Sequence, residues 1–372
     1  MDPRRVRLAV LVLTLGGSLA WAAADWRGEA RGSSAAEPGA GDVLRDGELP
    51  RVRLVATGGT ISVRAGTRLS ADELLRTVSL DGIAQADAEQ FANTASAALT
   101  LRQWLDLARR LDVLFRSRPD LSGIVVTTGT DMLEELGYFL NLTVRAERPV
   151  VVAGAMRTGT AVDYDGSANL VDAFRVAAAP ESRGRGVLAV LNGEIHAARE
   201  VSKTDASRLD AFRSPDGPLG SIGGRGVVYH RDVAKRHTAW SEFDVARLDE
   251  LPRVDVLLVY QDASGEIITA AVDQGAQGLV IATAGAGATS GTQGRGIAYA
   301  LDKGTPVVMS SRIPNGRIPA ARRDRQPQGA VAPARQPVAA EDLAPLKARV
   351  LLMLALTKTR DPARIQQMFL EY

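Results

Sequence analysis

The chain of 372 residues contains no cysteine. That excludes disulfides, thiolate metal ligands, cysteine nucleophiles and a lipidated N-terminal cysteine. Histidine is nearly as scarce. The three present, His196, His230 and His237, are scattered, which argues against a multi-histidine metal site, and none is assigned a role. No G-x-S-x-G elbow occurs, so a standard α/β-hydrolase is not expected. There is no Walker A sequence, and segment 285–290 (GAGATS) lacks the third small residue of a dinucleotide-binding fingerprint. An excess of charge of one sign is missing too. The formal net charge is +2, and Arg4, Arg5 and Arg7 against Asp2 account for it, leaving the rest neutral. Such a chain has no global pull toward nucleic acid or anionic membrane. The one local exception, the arginine-rich stretch 312–335, reads as a solvated loop. Beyond residue 24 no run is long and apolar enough to cross a bilayer.

What the chain does have is a globular balance, with 45% hydrophobic and 24% charged residues. The basic head MDPRRVR precedes an apolar body at 8–24 and small residues at Ala20, Ala22 and Ala24. That order reads as an export signal over 1–24, cleaved near its end to leave a periplasmic or secreted protein. The alternative is an uncleaved anchor, for which the body is short and interrupted by Gly16, Gly17 and Ser18. Residues 25–50 read as a flexible, Gly-rich linker.

From Arg51 short β-branched runs recur at 51–56, 123–127, 150–153 and 187–191. Continuous apolar strands suit a parallel sheet covered on both faces. Amphipathic stretches lie between them; at 100–115, Leu101, Leu105, Ala108, Leu111 and Phe115 fall on one stripe. The alternation predicts an α/β fold. A charged stretch, 231–252, ends at Pro252 and separates this part from a second alternation that begins near Val254. The expected layout is an N-terminal domain over 51–235, a connection over 236–252 and a C-terminal domain over 253–372.

In open α/β sheets ligands bind beyond the carboxyl ends of the strands. Thr57-Gly58-Gly59-Thr60 follows the first strand. It is either a strand-ending turn or a place where the backbone passes close to a ligand between two hydroxyls. Thr128-Gly129-Thr130-Asp131 follows another strand. Asp131 has capping-box spacing to Glu134, and it also lies where helix N–H groups favour negative charge. Lys203, in Val201-Ser202-Lys203-Thr204, is either a surface lysine or, drawn into a cleft, a group able to activate a hydroxyl.

These residues resemble the bacterial L-asparaginase/glutaminase-asparaginase family, exported type. The motifs are Ala56-Thr57-Gly58-Gly59-Thr60-Ile61, Gly129-Thr130-Asp131 with Glu134-Glu135 and Tyr138-Phe139-Leu140, and Gly154-Ala155-Met156-Arg157. Asp165-Gly166 with Asn169-Leu170, Val201-Ser202-Lys203-Thr204, Ser310-Ser311-Arg312 and Lys347-Ala348-Arg349 with Leu354-Ala355-Leu356-Thr357 continue the match in order to the end.

The resemblance implies two domains, a larger one with a mostly parallel sheet and a smaller Rossmann-like C-terminal one. It implies a homotetramer or intimate homodimer with sites completed by a neighbouring subunit, and hydrolysis of a small amide to acid and ammonia without metal or cofactor. It implies Thr60 as nucleophile and Thr130, Asp131 and Lys203 as a second activating group. Gly59, Ser96, Gly129, Thr130 and Asp131 would hold substrate, with Ser96 on the α-carboxylate and Asp131 on the α-amino group.

The chain departs from the family at several points. The loop Ser62–Ser70 is short and lacks the usual tyrosine. Ala97 and Ala288 stand where the family has a glutamine and an asparagine. The glutamate a neighbour usually supplies falls near Arg323 and Asp324. Tyr164 is a candidate replacement for the missing phenol, or a packing tyrosine. Substrates lacking an α-amino group, and binding of a small amide without turnover, therefore stand as alternatives.

Overall fold

The computed structural model describes residues 48–224, 226–320 and 336–372. The expected signal 1–24, nearly all of the expected linker, and Arg323 and Asp324 lie outside the described residues.

The first strand, β1 (Arg51–Gly58), is buried along almost its whole length. The chain then makes a tight hairpin of β2 (Val63–Arg64) and β3 (Thr67–Arg68). At its tip Ala65 and Gly66 both have positive φ, 46° and 82°, as a two-residue hairpin turn of the primed kind requires. The stretch expected to be a loop is thus locally paired. A short helix, α1 (Ala71–Leu75), starts in a Ser70–Glu73 capping box. It leads into β4 (Gln85–Thr94), a ten-residue strand that the sequence did not announce. Its only large apolar residue is Phe91, and it has no β-branched residue before Thr94, so propensity is silent. Ladder pairing with β1 holds it in place.

Strands and helices then alternate as expected: α2 (Leu101–Ser117), β5 (Leu121–Thr127), α3 (Leu133–Thr143), β6 (Val150–Ala153), α4 (Gly166–Ala178) and β7 (Val187–Leu191). Helix α2 opens with a second capping box, Thr100 with Gln103. Next come β8 (Glu194–Ala197), β9 (Ser202–Lys203), β10 (Phe212–Arg213), β11 (Gly220–Gly223) and β12 (Gly226–Tyr229). The eight-stranded sheet runs β12-β11-β8-β7-β6-β5-β1-β4. Strands β4, β1, β5, β6 and β7 are parallel, and β8, β11 and β12 add an antiparallel margin. The pair β9–β10 stands outside that sheet.

After a stretch whose only regular element is a turn of 3-10 helix at Thr238–Trp240, a second sheet forms from β13 (Val254–Leu258), β14 (Gly278–Thr283), β15 (Val307–Ser311) and β16 (Val338–Ala339). It is parallel throughout, in the order β13-β14-β15-β16. Helices α5 (Glu266–Asp273), α6 (Gln293–Asp302), α7 (Pro345–Leu356) and α8 (Pro362–Glu371) accompany it. Helix α7 is buried nearly all round, and Leu351, Leu352 and Met353 join Leu136, Phe139 and Leu140 of α3 in one apolar core. That continuity ties the C-terminal part to the helix following the Thr130 turn.

Candidate active site

Strands β1 and β5 are parallel neighbours, so their carboxyl ends deliver both glycine–threonine turns to one edge of the sheet. The turns touch. Gly59 has φ +83°, and a Cβ there would lie 2.3 Å from Gly129 N. A Cβ on Gly129 would lie 2.7 Å from Ser96 Oγ. Only hydrogen fits at both positions, which is the physical reason for the two glycines. Ser96 follows β4 directly and is buried. The strand missed by the sequence reading is therefore the one that carries Ser96 to Gly129.

The Thr60 turn is held by several bonds. Gly59 N donates to Thr94 O at 2.8 Å. Ser62 Oγ donates to Gly59 O at 2.9 Å, and Thr57 Oγ1 to Thr127 O at 2.8 Å, bridging the two strand ends. Tyr164 donates its hydroxyl to Ile61 O at 2.8 Å, and the Arg64 guanidinium lies over the Tyr164 ring at 3.9 Å. Burial raises the Tyr164 phenol above its ordinary pKa while Arg64 opposes that shift. Tyr164 thus meets the Thr60 turn through the backbone carbonyl next to Thr60, as a hydrogen-bond donor. Thr60 itself is partly exposed.

The second turn has a different neighbourhood. Lys203 Nζ donates to Thr130 Oγ1 at 3.0 Å and to Asp131 Oδ1 at 2.6 Å. The Lys203 side chain is 15% exposed and that of Asp131 72%, so one face of Asp131 is open to a ligand. The capping alternative for Asp131 does not hold. Helix α3 begins at Leu133 with Met132 at the cap position and no side-chain cap bond. Glu134, its supposed capping partner, turns inward to Lys347 instead.

Thr130, Asp131 and Lys203 therefore form one cluster. Thr60, Gly59, Gly129 and Ser96 form the adjoining wall. Two residues that replace polar family positions, Ala97 and Ala288, are exposed. Ala288 sits in a tight turn bridged to Ala284 through both backbone N–H groups.

The sequence reading missed Asp165 as an organiser: its carboxylate accepts from Met156 N and Arg157 N, each at 3.0 Å, and from Asn169 Nδ2 at 2.9 Å. It gave no role to Lys347 of the matched Lys347-Ala348-Arg349, which is buried behind Lys203. The signal for Lys347 was a lysine near the start of a helical run, LKARVLLMLAL, whose other residues are apolar except Arg349.

Comparison with known proteins agrees with this architecture. The asparaginase N-terminal family model matches residues 51–235. The glutaminase/asparaginase C-terminal domain model matches residues 253–369. L-asparaginase 2 of Bacillus subtilis is 41% identical over 337 residues, covering 87% of each chain. A Haemophilus influenzae protein named "Probable L-asparaginase periplasmic" is 39% identical, over 87% of this chain and 94% of that one. A crystal structure from Campylobacter jejuni, described as a "Probable Cytoplasmic L-asparaginase", superposes with a TM-score of 0.80 at 40% identity, covering 87% of this chain and all of the other. By both domain models and by these relatives, the chain belongs to the asparaginase family.

Proposed function

We propose that this protein hydrolyses the side-chain amide of L-asparagine or a closely related small amide, through an acyl-enzyme on Thr60. The observation that carries the reading is the Lys203 ammonium within hydrogen-bond distance of both Thr130 and Asp131, on a turn in contact with that of Thr60. Thr60 Oγ attacks the amide carbon, a C–O bond forms, and the C–N bond breaks as the nitrogen leaves as ammonia. Water then attacks the ester, releasing the acid and restoring the Thr60 hydroxyl. A threonine hydroxyl needs help to lose its proton. Lys203, oriented by Asp131, accepts that proton through the Thr130 hydroxyl and passes it to the departing nitrogen, which leaves as NH3. Ser96 receives the substrate carboxylate and the open face of Asp131 receives the ammonium. A second subunit completes the site, and the apolar N-terminal segment exports the chain.

A second reading, an amide without a free α-amino group, is favoured by the exposed methyls of Ala97 and Ala288 in place of polar groups. An ammonium left short of acceptors on binding loses about 1–3 kcal/mol per missing partner. Ammonia release from asparagine, glutamine and amides lacking the amino group decides between the two. Asparagine turnover with a weak KM, improved by Ala97→Gln with Ala288→Asn, supports the first. Preference for the amine-free amide supports the second, and binding without ammonia from any amide refutes both.

A further inference from the structure

Behind the cluster lies a lysine that the proposed chemistry does not use. Lys347 stands in the first turn of α7 and is 1% exposed. Its three ammonium donors meet three acceptors: Val201 O at 2.6 Å, Ser202 Oγ at 2.9 Å and Glu134 Oε2 at 3.2 Å. Two of these are the residues immediately before Lys203, and the third lies three residues after Asp131. One buried ammonium therefore clasps the strand that carries Lys203 to the helix that follows Thr130 and Asp131.

Little else does so. Strand β9 is two residues long, pairs among the described residues only with β10, and is outside both large sheets. Its other local ties run to its own flanking segments: Thr204 N and Oγ1 to Ala211 O at 2.7 and 3.0 Å, and Val201 N to Ala197 O at 3.0 Å. A second pair from α7, Arg349 to Glu135 at 3.4 Å, fixes the same end of α3.

Burial of a charged pair is a poor way to gain stability, since apolar residues of like volume often do as well. What a buried ammonium supplies is a fixed geometry among its acceptors. The charged groups facing it are Glu134 from α3 and Arg199 and Glu200 from the segment before β9. Burial depresses its proton affinity, and Glu134 and Glu200 restore part of it while Arg199 opposes.

We infer that Lys347 is a positioning residue that sets the approach of Lys203 to Thr130 and Asp131. The inference rests on the proposed role of Lys203. A base displaced by about 1 Å can lose up to ~10²-fold in rate.

The test compares Lys347→Met, Ser202→Ala, Lys203→Met and the Lys203→Met/Lys347→Met double variant. It measures kcat and KM on the amide that turns over, the pH profile of kcat, thermal unfolding, and the rate at which acetic anhydride labels Lys203 relative to surface lysines. Lys347→Met is expected to lower kcat about tenfold or more while KM moves little, to alter the pH profile, and to change Lys203 labelling severalfold. Ser202→Ala should act in the same direction and less, and the double variant should match Lys203→Met alone.

If Lys347→Met lowers only the unfolding temperature, with pH profile and labelling unchanged, Lys347 is structural and the inference is overturned. Losses that multiply in the double variant overturn it equally. Should Lys347→Met not fold, Ser202→Ala decides by the same readouts. If Lys203→Met retains wild-type kcat, the proposed role of Lys203 falls, whereas unchanged labelling in Ser202→Ala and Lys347→Met with Lys203→Met inactive removes only the positioning role.

Discussion

Two glycine–threonine turns leave neighbouring strands of one sheet, and their surroundings differ. The turn ending in Thr60 is fixed by uncharged donors on backbone carbonyls: Gly59 N on Thr94 O, Ser62 Oγ on Gly59 O and the Tyr164 hydroxyl on Ile61 O. The turn ending in Thr130 is wired to charge, with Lys203 bridging Thr130 to Asp131 and Lys347 gripping the helix behind them. A hydroxyl on a turn held by uncharged bonds suits attack at a defined point, because position costs nothing at the moment of reaction. A hydroxyl on a lysine suits proton movement, because the lysine can change its charge. The same dipeptide thus acquires two different surroundings from what packs around it.

The comparison breaks most sharply at Thr60. Thr60→Ala should cut kcat by about 10⁴-fold or more, the usual scale for a lost nucleophile. Activity within tenfold of wild type would exchange the roles of the turns and make Thr130 the attacking group.

Next in size is Lys203→Met, expected to cost about 10²-fold or more in kcat. Thr130→Ala should fall comparably, and the two together little further, as members of one unit do. Independent losses in that cycle would separate Thr130 from Lys203.

The contact between the turns is tested by Gly59→Ala against Gly66→Ala. Both glycines have nearly the same positive φ, +83° and +82°, but Gly66 has nothing within 4 Å of the added methyl. In urea unfolding Gly66→Ala should cost about 1–2 kcal/mol from backbone strain alone. Gly59→Ala should cost more and lower kcat as well, since Gly129 must move. Equal costs would mean that the turns yield freely.

The smallest effect is expected at Tyr164→Phe. Loss of one hydrogen bond to Ile61 O is worth about 1 kcal/mol, with kcat changed less than about tenfold. A loss of 10²-fold would bring the phenol into the chemistry.

Much of this was legible beforehand for identifiable reasons. β5, β6 and β7 announce themselves as apolar runs because both faces are covered. α2 shows its stripe and its Thr100 cap because one face meets water. β4 stayed hidden because its residues favour no element and only the β1 ladder makes it a strand. Asp131 read equally well as a helix cap because capping-box spacing is local, whereas its partner Lys203 lies 72 residues away. The roles of Asp165 and Lys347 were hidden for the same reason, that their partners are distant or are backbone atoms that no side-chain pattern reveals.

The sequence by itself determined the α/β alternation, the two glycine–threonine turns and the family to which they belong. The alternation and the turns rest on short-range rules, namely period, branching at Cβ and the turn needs of glycine, and the family rests on the resemblance of the motifs. Only the tertiary structure decided which hydroxyl faces a lysine, that Ser96 lies against Gly129, and that a C-terminal helix sends a buried ammonium behind the cluster. Those contacts join residues far apart in the chain, and their geometry exists only once α3 and α7 have packed into one core.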